Sequence, residues 1–122
     1  MRNIKILWTD DEIEALKPHI IFLREKGYEI DTCSNGIDTI DMVKQKTYDI
    51  IFLDENMPGI SGIETLRLIR ETRKDIPVVM ITKNEEEGIM EAAIGSETAD
   101  YLIKPVKPNQ ILMAIKKIID QK

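Results

Sequence analysis

Four short stretches carry residues that can do chemistry together. "ILWTDDE" brings Asp10 and Asp11, "IIFLDEN" brings Asp54, "VVMIT" ends on Thr82, and "YLIKP" brings Lys104. Gathered at one place, three carboxylates repel: two unit charges about 4 Å apart cost about 4 kcal/mol at an effective dielectric near 20. Lys104 offsets part of that, and a divalent cation is the natural second offset. All-oxygen donors favour Mg²⁺ or Mn²⁺. Mg²⁺ keeps several waters beside one or two carboxylates and a phosphate oxygen, so the set describes a site that takes phosphate. Beside a metal and a lysine, Asp54 is placed to be a nucleophile towards phosphorus, as carboxylates are when they form aspartyl phosphates. Metal and lysine would stabilise the charge on the transferring group, and Thr82 would bond one of its oxygens. The stretch "ENMPGISG" after Asp54 holds Pro58, Gly59 and Gly62, a stiff loop suited to fixing backbone groups near the metal.

Whether these residues meet depends on the elements that carry them. Apolar runs predict five strands at residues 4–9, 29–33, 49–54, 77–82 and 99–103. The third and fourth are nearly continuous in apolar character, as strands buried on both faces of a parallel sheet are. Between strands the spacing is helical: Ile13, Leu16, Ile20 and Leu23, then Ile37, Ile40 and Val43, then Ile63, Leu66 and Ile69, and last Ile111, Ile115, Ile118 and Ile119. Gly27 ends the first helix, "SNG" at 34–36 starts the second, and Pro108 suits the first turn of the last. Pro18 falls inside the first helical pattern and predicts a kink near Glu14. The order is (βα)5, a flavodoxin-like α/β fold with a five-stranded parallel sheet in order 2-1-3-4-5 and helices on both faces. In such sheets the ligand site lies at the carboxyl ends of the strands, and Asp10, Asp11, Asp54, Thr82 and Lys104 all stand there.

Composition narrows the reading. The 122 residues suit one domain over 1–122, with 43% hydrophobic and 32% charged residues. A net charge of −5 argues against direct nucleic-acid binding by this domain. No apolar run approaches the roughly 20 residues of a membrane span, and no export signal opens the chain. The single Cys33 cannot form an internal disulfide, which makes the cytoplasm the expected compartment.

The chain resembles a response-regulator receiver domain, the CheY-like family, over essentially its whole length. The resemblance is carried by "DD" after the first strand, "LDENMPGISG" around the third, "MIT" at the fourth and "YLIKP" at the fifth. "ILWTDDE", "ENMPGISG" and "ADYLIKPVKPNQIL" further resemble the receiver part of PorX-type regulators. The resemblance implies that Asp54 accepts a phosphoryl group from the phosphohistidine of a sensor histidine kinase. It implies Mg²⁺ held by Asp10 and Asp11, with Asp11 the direct ligand, by Asp54, and by the Asn56 carbonyl. Lys104 would pair with the phosphoryl group, Thr82 would move towards it, and Tyr101 would swing inward behind it. Pro105 matches the family's cis-proline. The surface of the fourth helix, fifth strand and last helix would then change and serve a homodimer or a partner, with an output domain in a longer chain. Such a domain catalyses its own phosphorylation and dephosphorylation and is not a turnover enzyme.

Three positions depart from the pattern. Lys83 stands where receivers usually carry a small residue, Gly95 is displaced towards the N-terminus, and Trp8 replaces a smaller Val or Ile. Plainer readings exist too. Paired acids cap helices, a strand-end Asp forms turns, and Tyr101 packs. His19 reads as a surface histidine and Cys33 as a small buried hydrophobe. The segment 84–88 reads as a solvated helix start, with Ile89, Met90, Ala93 and Ile94 as core. A Mg²⁺-dependent phosphatase with an Asp nucleophile is a rival, but Asn56 stands where such enzymes place their second acid. A flavodoxin-like cofactor binder would need a hydroxyl- or glycine-rich phosphate loop where "TDDEIE" stands. A receiver-shaped interaction module that works unphosphorylated is the third rival.

Overall fold

The computed structural model describes residues 3–83 and 98–120. Five strands, β1 (Lys5–Thr9), β2 (Glu29–Cys33), β3 (Ile50–Asp54), β4 (Val78–Thr82) and β5 (Asp100–Ile103), form one sheet in the order β2-β1-β3-β4-β5. Every pairing is parallel. The strands therefore all end on one edge, and the chain crosses from one side of β1 to the other between β2 and β3, the switch point where α/β sheets bind ligands.

Side chains alternate across the sheet, and the sequence loads both faces. Ile6, Trp8, Phe52, Val79 and Ile81 point to one side, where they meet Ile20 and Leu23 of helix α1 (Lys17–Glu25) and Ile111, Ile115 and Ile118 of the C-terminal helix (Pro108–Asp120). Leu7, Ile51, Leu53, Val78 and Met80 point to the other, against Val43 of α2 (Gly36–Gln45) and Ile63, Leu66 and Ile69 of α3 (Gly62–Thr72). All residues of β3 and β4 are buried, which explains their unbroken apolar runs. Trp8 is wholly buried, tilted against Phe52 with ring centroids 5.4 Å apart.

Local signals set the helix ends. Asn35 caps α2 by accepting the Asp38 N–H at 2.8 Å, and Ser61 caps α3 by accepting the Glu64 N–H at 3.2 Å. Gly27, at φ 97°, closes α1 in the left-handed region. The kink expected near Glu14 is a break instead. A 3₁₀ turn covers Ile13–Leu16 and α1 begins at Lys17, so Pro18 sits in the first helical turn, where its missing N–H costs nothing. The segment 84–97, which includes the fourth helical pattern, its apolar positions and Gly95, lies outside the described residues. Among those described, no helix is long and apolar enough to cross a membrane.

Candidate functional site

The carboxyl edge of the sheet brings together Asp10, Asp11 and Asp54. One oxygen from each lies within 4.8 Å of the others. Asp10 and Asp54 are buried and Asp11 is exposed, so the cluster opens towards solvent through Asp11. Two short bonds fix Asp10. The Asp10 N–H donates to the Cys33 carbonyl at 3.0 Å, extending the β1–β2 ladder by one residue. Asp10 Oδ1 accepts the Glu12 N–H at 2.8 Å, a local turn bond and not the helix cap of its plainer reading: the 3₁₀ turn at Ile13–Leu16 begins after Glu12 with no side-chain cap. Turn-former and site residue coincide.

Lys104 supplies the positive charge. Its Nζ lies 3.0 Å from Asp10 Oδ2 and 3.3 Å from Asp54 Oδ1. Its backbone N–H donates to the Thr82 carbonyl at 2.7 Å, so the ends of β4 and β5 hold the lysine from behind. The Lys104–Pro105 peptide is cis. Burial alone would lower the Lys104 pKa, but its bonds to Asp10 and Asp54 outweigh that and raise it. Asp54 is pushed up to about 6, first by burial and then by the Asp10 charge, against the pull of Lys104 and the Asn56 N–H. The lysine offsets the acids without neutralising them. Asp54 Oδ1 has Lys104 and the Asn56 N–H, at 3.3 Å each, while Asp54 Oδ2 is buried with no hydrogen-bond partner among the described residues. A buried carboxylate oxygen without a donor is costly. Oxygen donors with surplus negative charge and one unpaired buried oxygen fit a hard divalent cation.

The other expected residues are distributed around this centre. Asn56 is exposed and reaches Asp54 through its N–H. Thr82 is wholly buried at the end of β4, opposite Ile103, and Asp54 is paired with its neighbour Ile81. Tyr101 is part-buried in β5 opposite Met80 and packs against the α2–α3 face of the sheet. Lys83 is exposed, 3.8 Å from Glu12 in an ion pair at the rim, a contact worth little in water.

Two features went unread in the sequence. His19 is half-buried, not a surface residue. Its Nε2–H donates to the Val106 carbonyl at 2.7 Å and its ring stands edge-on to Trp8 at 6.0 Å. Glu55 turns away from the acid cluster, and its Oε2 accepts the Ile63 N–H at 2.8 Å at the start of α3. Burial raises the Glu55 pKa, against that N–H, with Glu64 adding to the rise. Ser61 caps the same helix from its own start; a second cap arriving from the end of β3 leaves no local sequence signal.

Comparison with known proteins agrees with this geometry. Residues 6–116 match the family model of the response regulator receiver domain. The transcriptional regulatory protein ResD of Bacillus subtilis is 36% identical over 94% of this chain, which spans 48% of ResD. The chain thus covers about half of that curated relative. The response regulator TrrA of Thermotoga maritima, solved in complex with Mg²⁺ and BeF, is 30% identical with a TM-score of 0.83, covering 94% of this chain and 98% of TrrA. The receiver domain of the sensor histidine kinase PA1611 of Pseudomonas aeruginosa, with a magnesium ion coordinated in its active-site cleft, is 25% identical with a TM-score of 0.87, covering 98% and 99%. A family match across nearly the whole chain, on a sheet whose carboxyl edge gathers these acids and this lysine, establishes that the protein belongs to the response regulator receiver domain family.

Proposed function

We propose that Asp54 is the phosphoacceptor of this receiver, and that Asp10, Asp11, Asp54 and the Asn56 carbonyl hold Mg²⁺, with Mn²⁺ able to replace it. The observation that carries this reading is the placement of Asp54: buried at a strand end, with two further carboxylates within 4.8 Å and Lys104 3.3 Å from its Oδ1. A receiver of a two-component system takes its phosphoryl group from a histidine kinase. An Asp54 oxygen attacks phosphorus, the phosphorus–nitrogen bond to the donor imidazole breaks, and the electron pair returns to the ring nitrogen. When bound, the cation supplies charge stabilisation to the transferring oxygens. Lys104 adds the second positive charge and, released from part of its work on Asp10, turns to the phosphoryl group.

The same reading makes Thr82 and Tyr101 the switch. Phosphorylation adds roughly two negative charges and new acceptor oxygens. Thr82 bonds one of them, Tyr101 moves behind it, and the face of β5 and the C-terminal helix changes for a homodimer or an output domain. Moving a two-state element from about 10% to about 90% active takes roughly 2.6 kcal/mol, within the reach of two charge-assisted hydrogen bonds. Residues 1–122 act as one receiver domain in the cytoplasm, where a lone cysteine stays reduced. A narrower kinship with PorX-type regulators rests on "ILWTDDE", "ENMPGISG" and "ADYLIKPVKPNQIL".

The test is intact mass after incubation with acetyl phosphate and Mg²⁺. One added phosphoryl group is expected, absent in Asp54→Asn and absent with chelator. A phosphoryl mass that persists in Asp54→Asn refutes the assignment.

A further inference from the structure

The loop at residues 55–62 is closed on itself through Glu55. The Glu55 N–H donates to the Ile81 carbonyl at 2.9 Å, and its own carbonyl accepts the Gly62 N–H at 3.0 Å. Its carboxylate accepts the Ile63 N–H at 2.8 Å. One residue therefore hangs from β4 by its backbone and grips the first turn of α3 with both its carbonyl and its side chain. Gly62 lies so near the end of β3 that a Cβ there would stand 2.4 Å from the Asp54 carbonyl oxygen and 2.7 Å from Glu55 Cα. Asn56 follows this clamp directly, and its N–H donates to Asp54 Oδ1 at 3.3 Å.

We propose that Glu55 is a positioning residue for the cation site: by capping α3, and without touching the cation, its carboxylate holds the Asn56 backbone and the Asp54 carboxylate at the spacing the cation needs. This rests on reading Asp10, Asp11 and Asp54 as the cation's acids. Glu55 is not in the cluster whose oxygens converge, so its charge is not needed there. What the cap requires is an acceptor oxygen near the Ile63 N–H, and a neutral amide supplies one. Removing the acceptor frees an N–H at the helix start and loosens the loop through which Asn56 is placed. Partners that orient ligands in this way carry about tenfold or more in metal affinity.

The experiment is calorimetric titration with Mg²⁺ of the wild type, Glu55→Ala, Glu55→Gln and Asp11→Ala, each well below its melting temperature so that a loss of stability alone leaves affinity unmoved. Amide exchange across residues 55–63 is followed in parallel. Glu55→Ala should bind Mg²⁺ about tenfold more weakly with faster exchange at Ile63, while Glu55→Gln stays close to wild type. Unchanged affinity in Glu55→Ala, beside a clear loss in Asp11→Ala, overturns the role of Glu55 alone. A loss in Glu55→Gln as large as in Glu55→Ala also overturns it, because charge and not capping would then matter. Unchanged affinity in Asp11→Ala refutes the acid cluster as the cation site, and the role of Glu55 falls with it. If Glu55→Ala does not fold, Glu55→Asp, one methylene shorter, is judged by the same criteria.

Discussion

His19 and Val106 are joined across 87 positions of the chain by a hydrogen bond of 2.7 Å from the imidazole Nε2–H to the backbone carbonyl. The bond ties α1 to the loop that follows Lys104, and the imidazole stands edge-on to buried Trp8. His19→Ala leaves the carbonyl unpaired and removes the ring contact. It should cost about 2 kcal/mol and speed amide exchange around residues 104–107. His19→Gln, which keeps a donor, should recover part of both. A thermal melt and an exchange map check this; an unmoved melt in His19→Ala contradicts it.

Asp54 makes the metal-free protein sensitive to pH. Its folded pKa is raised to about 6, by burial first and Asp10 second, so the fold favours the protonated form. That contribution is fully present below the unfolded carboxylate range and is lost as pH rises through about 6. At neutral pH Asp54→Asn should therefore raise the melting temperature of the Mg²⁺-free protein by several degrees, on the order of 1–2 kcal/mol. The gap should close near pH 4 and narrow when Mg²⁺ is added. Melts from pH 4 to 8, with and without Mg²⁺, decide it.

Asp31 behaves oppositely. The Tyr48 hydroxyl donates to its Oδ2 at 2.7 Å and Lys46 Nζ lies 3.1 Å from the same atom. The tyrosine bond, chiefly, lowers the Asp31 pKa against its partial burial, with Lys46 helping. The resulting stability is present above the unfolded carboxylate range and is lost as pH falls through the lowered folded value. Tyr48→Phe should cost under about 1 kcal/mol at neutral pH, since the pair is partly solvated. It should cost almost nothing in strong acid. Denaturant titrations at pH 7 and pH 2.5 measure the difference.

Lys104→Met keeps the length of the side chain and removes its charge. Asp10 and Asp54 then face each other with no cation at 3.0 and 3.3 Å. The Mg²⁺-free protein should lose on the order of 1–3 kcal/mol at neutral pH, and added Mg²⁺ should restore more stability than it adds to the wild type. A melt series against Mg²⁺ concentration reads this directly.

The sequence showed where chemistry collects more reliably than how it is held. Each strand lies within one residue of its expected bounds, because apolar runs ending in Asp54 or Thr82 leave little choice once both sheet faces are covered. The acids and Lys104 were legible for the same reason: in a parallel sheet, strand ends share an edge. Supports reaching across the fold were not legible. His19 has its partner 87 residues away, and Glu55 caps a helix from the end of the preceding strand. The start of α1 was misplaced because Ile13, Leu16, Ile20 and Leu23 keep one apolar stripe whether the first turn is 3₁₀ or α.

Gly36 opens α2 where α3 crosses close to it. A Cβ there would stand 2.2 Å from Thr65 Oγ1 and 2.6 Å from Ile60 Cγ1. Ile60 belongs to the loop that follows Asp54, so the neighbouring helix α2 limits what that loop can become. In evolutionary terms the two positions cannot drift apart. A lineage that replaces Gly36 with any larger residue must make room at both Thr65 and Ile60, and moving Ile60 disturbs the frame around the acids. Random libraries that vary one position at a time will record Gly36 as intolerant, while libraries that vary 36, 60 and 65 together should recover folded combinations that no single step reaches.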